Sequence, residues 1–174
     1  MSVPAQLDRF TVQDLEHVPD DGMRYEVING SLFVTAPAGY PHNARAQLVG
    51  LALLRAAPET LEVLMTGTQA VELDDGDGPC PDVLVFRSGS YSGAVPGSAV
   101  HLVVEVTSPS NRSNDTVVKL ERYARAGIEH YWIVDPDQIT VYTLEPGTHR
   151  YRETERGSSV TASEPFDVTV SLPV

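Results

Sequence analysis

Three residues hold most of the chemistry visible in the chain: Asp82, Glu105 and Lys119. Asp82 follows Pro81 and opens the apolar run Val83, Leu84, Val85, Phe86; Glu105 closes the run Leu102, Val103, Val104. Continuous apolar runs of this kind suit central strands covered on both faces. A carboxylate at the end of such a strand is costly to bury unless it is paired or holds a metal. If the two strands are antiparallel neighbours, the start of one lies beside the end of the other and the carboxylates converge. Two carboxylates with open positions suit Mg²⁺ or Mn²⁺, which prefer oxygen ligands and keep several waters. Taken singly, Asp82 also reads as a turn residue and Glu105 as the partner of an arginine. The pair is harder to dismiss, because both acids punctuate otherwise apolar strands.

Lys119 is the only lysine in the chain; the other eleven basic residues are arginine. It falls on a helix-like stretch after the strand that ends near Glu105, about one turn in, so its side chain can reach both carboxylates. Lysine is a compact point charge that can lose a proton, whereas arginine is planar and stays charged. A site needing a small cation beside a water or a phosphate would accept lysine and reject arginine. The competing reading is chance, or an exposed helical contact with Asp115 or Tyr123.

The elements that must position these residues can be read in order. Residues 11–16 suggest a short helix. MRYEVINGSLFV suggests a β-hairpin turning at Asn29-Gly30, a type I′ signal. PHNARAQLVGLALLRAAP suggests an amphipathic helix with Leu48, Leu51, Ala52 and Arg55 on one face, stopped by Pro58. LEVLM, TQAVEL, PDVLVF and HLVVEV are strand-like, with a turn cluster at 74–79 and a loop at 87–99. SNDTVVKLERYARAG suggests a helix, capped by Ser113 or Asn114 and ended at Gly127. HYWIVD and ITVYTL follow as strands, and the chain from about Gly147 reads as weak β-structure. This order predicts an α/β or α+β domain on one mixed sheet with an N-terminal hairpin.

The length of 174 residues suggests one domain over 1–174, with a core at about 24–144 and a peripheral β tail at 145–174. No apolar run approaches 18 residues, so no membrane span is expected. The N-terminus lacks a secretory pattern, and a cytoplasmic location is the default expectation. A single cysteine, Cys80, excludes an internal disulfide and a multi-cysteine zinc site, and reads as a small packed side chain. His17, His101, His130 and His149 show no metal-ligand spacing. The net charge of −12 argues against a broad basic surface for nucleic acid, although an acidic surface with a metal site could still bind phosphate locally.

The segments RYEVINGSLFV, PDVLVF, LVVEVTSPSNRSND and VVKLERYARAGIEHYWIVDP resemble the Uma-type family of restriction endonucleases, within the PD-(D/E)XK nuclease superfamily. The resemblance runs from about Leu7 to Val141, and its most specific part is 105–136. The superfamily pattern is Pro-Asp followed by Glu-x-Lys on the next strand. Pro81-Asp82 fits, but Thr107 stands where lysine is expected, and Lys119 takes that place from the following helix. The resemblance implies a restriction endonuclease-like mixed-sheet core flanked by helices, and a metal-dependent endonuclease acting on DNA. Asp82 and Glu105 would bind Mg²⁺ (or Mn²⁺) with the main-chain carbonyl of Val106, and Lys119 would orient or activate the attacking water. Glu26 matches an early acidic position and is either a further ligand, a water holder or a plain hairpin residue. His42 could touch phosphate or the ligands of the metal, or simply open the helix. Ser108, with Ser110 and Asn111, could position a phosphate or form a turn. Arg112, Lys119, Arg122 and Arg125 make 109–126 locally basic, and a homodimer could align two such segments on DNA. Two alternatives stay open: a non-catalytic binding or assembly module of this fold, and a hydrolase of a smaller phosphate ester.

Overall fold

The computed structural model describes residues 9–107 and 114–173. A 3₁₀ turn over Val12–His17 leads into the hairpin β1 (Arg24–Ile28) and β2 (Ser31–Thr35). Helix α1 (Tyr40–Ala56) is followed by β3 (Leu61–Leu64), β4 (Val71–Glu72), β5 (Val83–Arg87), β6 (Val95–Pro96) and β7 (Val100–Val106). A π-type turn over Asn114–Lys119 runs into α2 (Leu120–Arg125). Then come β8 (His130–Val134), β9 (Ile139–Leu144), β10 (Tyr151–Gly157), β11 (Ser159–Ala162) and β12 (Val168–Ser171). The mixed α+β class expected from the sequence is the class observed. No helix among the described residues is long and apolar enough to cross a membrane.

The main sheet has six strands in the order β10-β9-β8-β7-β5-β3. Only β7 and β8 pair in parallel; the other neighbours are antiparallel. Strand alternation divides the core. Leu102, Val104 and Val106 face one way, with Val83, Val85, Trp132 and Val134, and meet Val49 and Leu53 of α1. Val103, Leu84, Phe86, Tyr131 and Ile133 face the other way and meet Tyr123 of α2. Both faces of β5 and β7 are therefore covered, which is why their sequences run apolar without a break.

Three expectations need correction. The buried stripe of α1 is His42, Ala46, Val49, Gly50 and Leu53, while Leu51 and Leu54 are 44% and 49% exposed. Gly50 makes room in that stripe for Met65: a Cβ there would stand 2.2 Å from Met65 Cγ. TQAVEL supplies only the short β4, which pairs in parallel with β6 outside the main sheet. The stretch after 145 is also more than a peripheral tail. Strand β10 forms an edge of the main sheet, and Val160, Val168, Val170 and Leu172 enter the α1-side core.

The hairpin that faces the site turns at Asn29 and Gly30, with φ of 55° and 71°, as a type I′ turn requires. Its far end is tied to the 74–79 turn. Val27 and Gly78 exchange backbone hydrogen bonds of 3.2 and 2.9 Å. The buried Asp77 carboxylate accepts the N–H groups of Asn29 (2.8 Å) and Gly30 (3.1 Å). A side chain on Gly78 has no room, since its Cβ would lie 2.7 Å from Val12 Cγ2 and 3.0 Å from Leu15 Cδ1. Gly78→Ala should destabilise the fold by about 1–3 kcal/mol through overpacking. Denaturant melting measures this; an unchanged midpoint would mean that the 3₁₀ turn is not fixed against the hairpin.

At the start of β8, His130 is 5% exposed, and burial pushes its pKa below the ordinary value. The folded protein therefore keeps it neutral while the unfolded chain takes up a proton below about pH 6.5. Stability is full above that pH and is lost as pH falls toward the depressed folded value. His130→Gln should flatten this acid-side slope. Melting curves from pH 7.5 to 5 test it, and parallel slopes for the two proteins would contradict it.

Candidate active site

The register between β5 and β7 brings the two acids together. Val83 pairs with Val104, and the Asp82 N–H donates to the Val104 carbonyl at 3.1 Å, so Asp82 stands opposite Glu105. Both are buried, at 4% and 1% exposure. Asp82 Oδ2 accepts the Val106 N–H at 2.8 Å and lies 3.1 Å from His42 Nε2; Oδ1 lies 3.4 Å from Arg24 Nη1. The His42 contact has the distance of an ion pair without hydrogen-bond alignment, and neither ring nitrogen has an aligned partner among the described residues. Burial raises the Asp82 pKa, but His42, Arg24 and the Val106 N–H outweigh it and hold the carboxyl below its ordinary value. Asp82 in turn holds His42 above its usual range, against burial and Arg24.

Strand β1 delivers two more charges. Alternation places Arg24 and Glu26 on one face. The Arg24 guanidinium donates to the carbonyls of Gly67 (3.0 Å) and Cys80 (3.1 Å) while facing Asp82. Gly67 has φ of 62°, and any side chain there would press to 3.3 Å from Asp82 Oδ1. The turn therefore needs glycine both for its backbone and for the space beside the carboxylate. Asp82, Glu105 and Glu26 all raise the Arg24 pKa against its burial, so this cation serves the whole cluster.

From the other side, the π-type turn before α2 presents Lys119, 3% exposed. Its Nζ is 2.9 Å from Glu26 Oε1 and 3.1 Å from Glu105 Oε1. One turn later, Tyr123 donates its hydroxyl to the same Glu105 oxygen at 2.9 Å. Burial, then the Glu105 charge, push the Tyr123 pKa well up, so the phenol remains a donor. A helix capped at Ser113 or Asn114 and ended at Gly127 was expected here. The described part instead opens with a wider, π-type turn that runs into α2.

The remaining candidates fall into three groups. The Val106 N–H points toward Asp82, and in an extended residue the carbonyl points the same way. Arg122 is not aimed at the acids: it pairs with Asp75 and, through Nε at 3.3 Å, with Asp77. It ties α2 to the turn that docks the hairpin. Ser108 and Arg112, and the proposed cap at Ser113, lie outside the described residues. Thr107, where the sequence resemblance expected a lysine, gives its hydroxyl to Asp135 at 2.6 Å. Sequence reasoning missed Arg24 and Tyr123. Their only local signals are spacings: Arg24 two residues before Glu26 on a strand, Tyr123 four after Lys119 on a helix. A cleft of about 630 Å³ opens on Arg24, His42 and Asp82, beside Met65 and Gly67.

A family model described as "Uma2: Putative restriction endonuclease" matches residues 12–174. The chain belongs to the Uma2 family. Among solved structures, this Uma2 protein is similar to a "putative nuclease belonging to DUF820" from Anabaena variabilis. The two share 17% identity over 90% of this chain and 89% of the other, with a TM-score of 0.66, a likeness of fold. None of the curated proteins compared matches the chain.

Whether the Uma2 site suits a metal can be judged from its donors. Among the described residues, no group of three or more His, Cys, Asp or Glu side chains is placed to hold an ion. Such a group is what a zinc cage would need. Mg²⁺ asks for less, usually one or two carboxylates with several waters retained. Asp82, Glu105 and the direction of the Val106 carbonyl supply hard oxygen donors of that type. The residues present fit Mg²⁺ or Mn²⁺.

Proposed function

We propose that this Uma2 protein is a metal-dependent endonuclease that hydrolyses phosphodiester bonds of DNA. The observation that carries the reading is the charge of the buried cluster. Three carboxylates, Asp82, Glu105 and Glu26, face two cationic side chains, Arg24 and Lys119. Three carboxylates against Arg24 and Lys119 leave one negative charge, which a protonated His42 beside Asp82 cancels, so a divalent ion would give the cluster the positive charge that a phosphodiester needs. In this reading Asp82, Glu105 and the Val106 carbonyl hold Mg²⁺, with Mn²⁺ as a substitute. The bound ion supplies Lewis-acid activation of water and charge for the transition state. Lys119 orients the attacking water and offsets charge on the phosphate, while Glu26 and Tyr123 fix Lys119 and Glu105 in place. Arg24 pins Asp82, and His42 faces the phosphate from the cleft. Among the described residues the chain carries one such cluster, so cutting both strands in a single encounter calls for a homodimer.

The test is incubation with supercoiled DNA, linear DNA, RNA and bis-(p-nitrophenyl) phosphate in Mg²⁺, Mn²⁺ or EDTA. Nicking or cutting of DNA that needs the metal supports the reading. Turnover of the small ester alone would point to a phosphate-ester hydrolase, and inertness toward every substrate to a non-catalytic module.

A further inference from the structure

The cluster contains a conflict that the proposed reaction does not explain. Glu105 Oε1 already accepts Lys119 Nζ at 3.1 Å and the Tyr123 hydroxyl at 2.9 Å. A carboxylate oxygen has two lone pairs, and these two donors take both. An ion binding this oxygen must displace one donor. An ion binding elsewhere on Glu105 still sits within a few ångströms of a buried ammonium. Lys119 is 3% exposed, so water screens that repulsion poorly.

Resting on the metal reading above, we infer that Lys119 is also the resident counter-cation of the ion-free site and competes with the divalent ion for Glu105. Without metal, Lys119 neutralises Glu26 and Glu105 and keeps the acids assembled. When metal enters, Glu26, whose Oε1 is 2.9 Å from Nζ, retains the lysine beside the reacting water. The residue that catalysis needs therefore weakens metal binding. Its loss should have opposite effects on the two.

The experiment measures Mn²⁺ affinity by electron paramagnetic resonance and calorimetry on the full chain. It compares wild type, Lys119→Met, Lys119→Gln and Asp82→Asn. Both Lys119 variants should bind Mn²⁺ at least about tenfold more tightly than wild type, as expected from removing a buried like charge, while Asp82→Asn binds more weakly. If Lys119→Met is unfolded without metal, the same competition shows as folding on Mn²⁺ addition, followed by circular dichroism. Wild-type binding with equal or weaker binding by both Lys119 variants overturns the competition and leaves the nuclease reading standing. No Mn²⁺ binding by any of the four proteins overturns both.

Discussion

Lys119→Met should lose metal-dependent DNA cleavage by at least about a hundredfold, the usual scale for losing one charged donor aimed at the transition state. The same change should lower stability in metal-free buffer by about 3–5 kcal/mol, the range for breaking a buried ion pair. The reason is geometric. Glu26 and Glu105 converge on one ammonium, and without it two desolvated carboxylates face each other. Mg²⁺ should then restore much of the lost stability without restoring cleavage, because an ion replaces the charge but not the amine. Lys119→Arg separates these roles further. It keeps the charge but brings a wider, planar head that stays protonated, and cleavage should remain lost. Melting with and without Mg²⁺, beside a nicking assay, checks each part. A Lys119→Arg protein with wild-type cleavage would remove the case for a lysine-specific role.

Asp82→Asn should cost cleavage through a different route. The carboxylate is where Arg24, His42 and the Val106 N–H meet, and an amide cannot take over its charge. Losing an ion worth at least about 3 kcal/mol to the transition state is a rate loss of roughly a hundredfold or more. Stability should fall by about 1–3 kcal/mol, because Arg24 loses its anionic partner yet keeps the Gly67 and Cys80 carbonyls. Unlike Lys119→Met, this variant should gain little stability from Mg²⁺, since the ligand itself is gone. Thermal melting against Mg²⁺ concentration distinguishes the two. Equal Mg²⁺ stabilisation of Asp82→Asn and wild type would place the ion elsewhere.

Much of the site was legible because burial makes charge conspicuous. An acid that interrupts an apolar strand has few structural excuses, and Asp82 and Glu105 do converge through the antiparallel β5–β7 register. A lone lysine in an arginine-using chain drew attention for the same reason, and Lys119 lies against Glu105. The hairpin turn was legible because Asn-Gly tolerates positive φ at both positions. Arg24 was not, because its two-residue spacing to Glu26 is a weak signal; its role depends on the Gly67 loop and Asp82, both distant in sequence. The α1 face was read in part: Leu48 and Ala52 do pack on the core, but Leu51 is exposed and the fully buried stripe lies one residue over, through Val49 and Leu53. The contribution of 151–172 was underestimated because β10 is largely polar and finds its place by pairing with β9. Thr107 looked like a broken motif, but the geometry has Lys119 approaching Glu105 from α2's side instead.

The most direct measurement is plasmid nicking by wild type, Lys119→Met and Asp82→Asn, prepared identically and assayed in Mg²⁺ and in EDTA. Nicking by wild type in Mg²⁺ alone, with both variants inactive while folded, is the expected result. Equal nicking by all three proteins, or nicking that survives EDTA, would contradict the assignment of Asp82, Glu105 and Lys119 as a metal-dependent nuclease site.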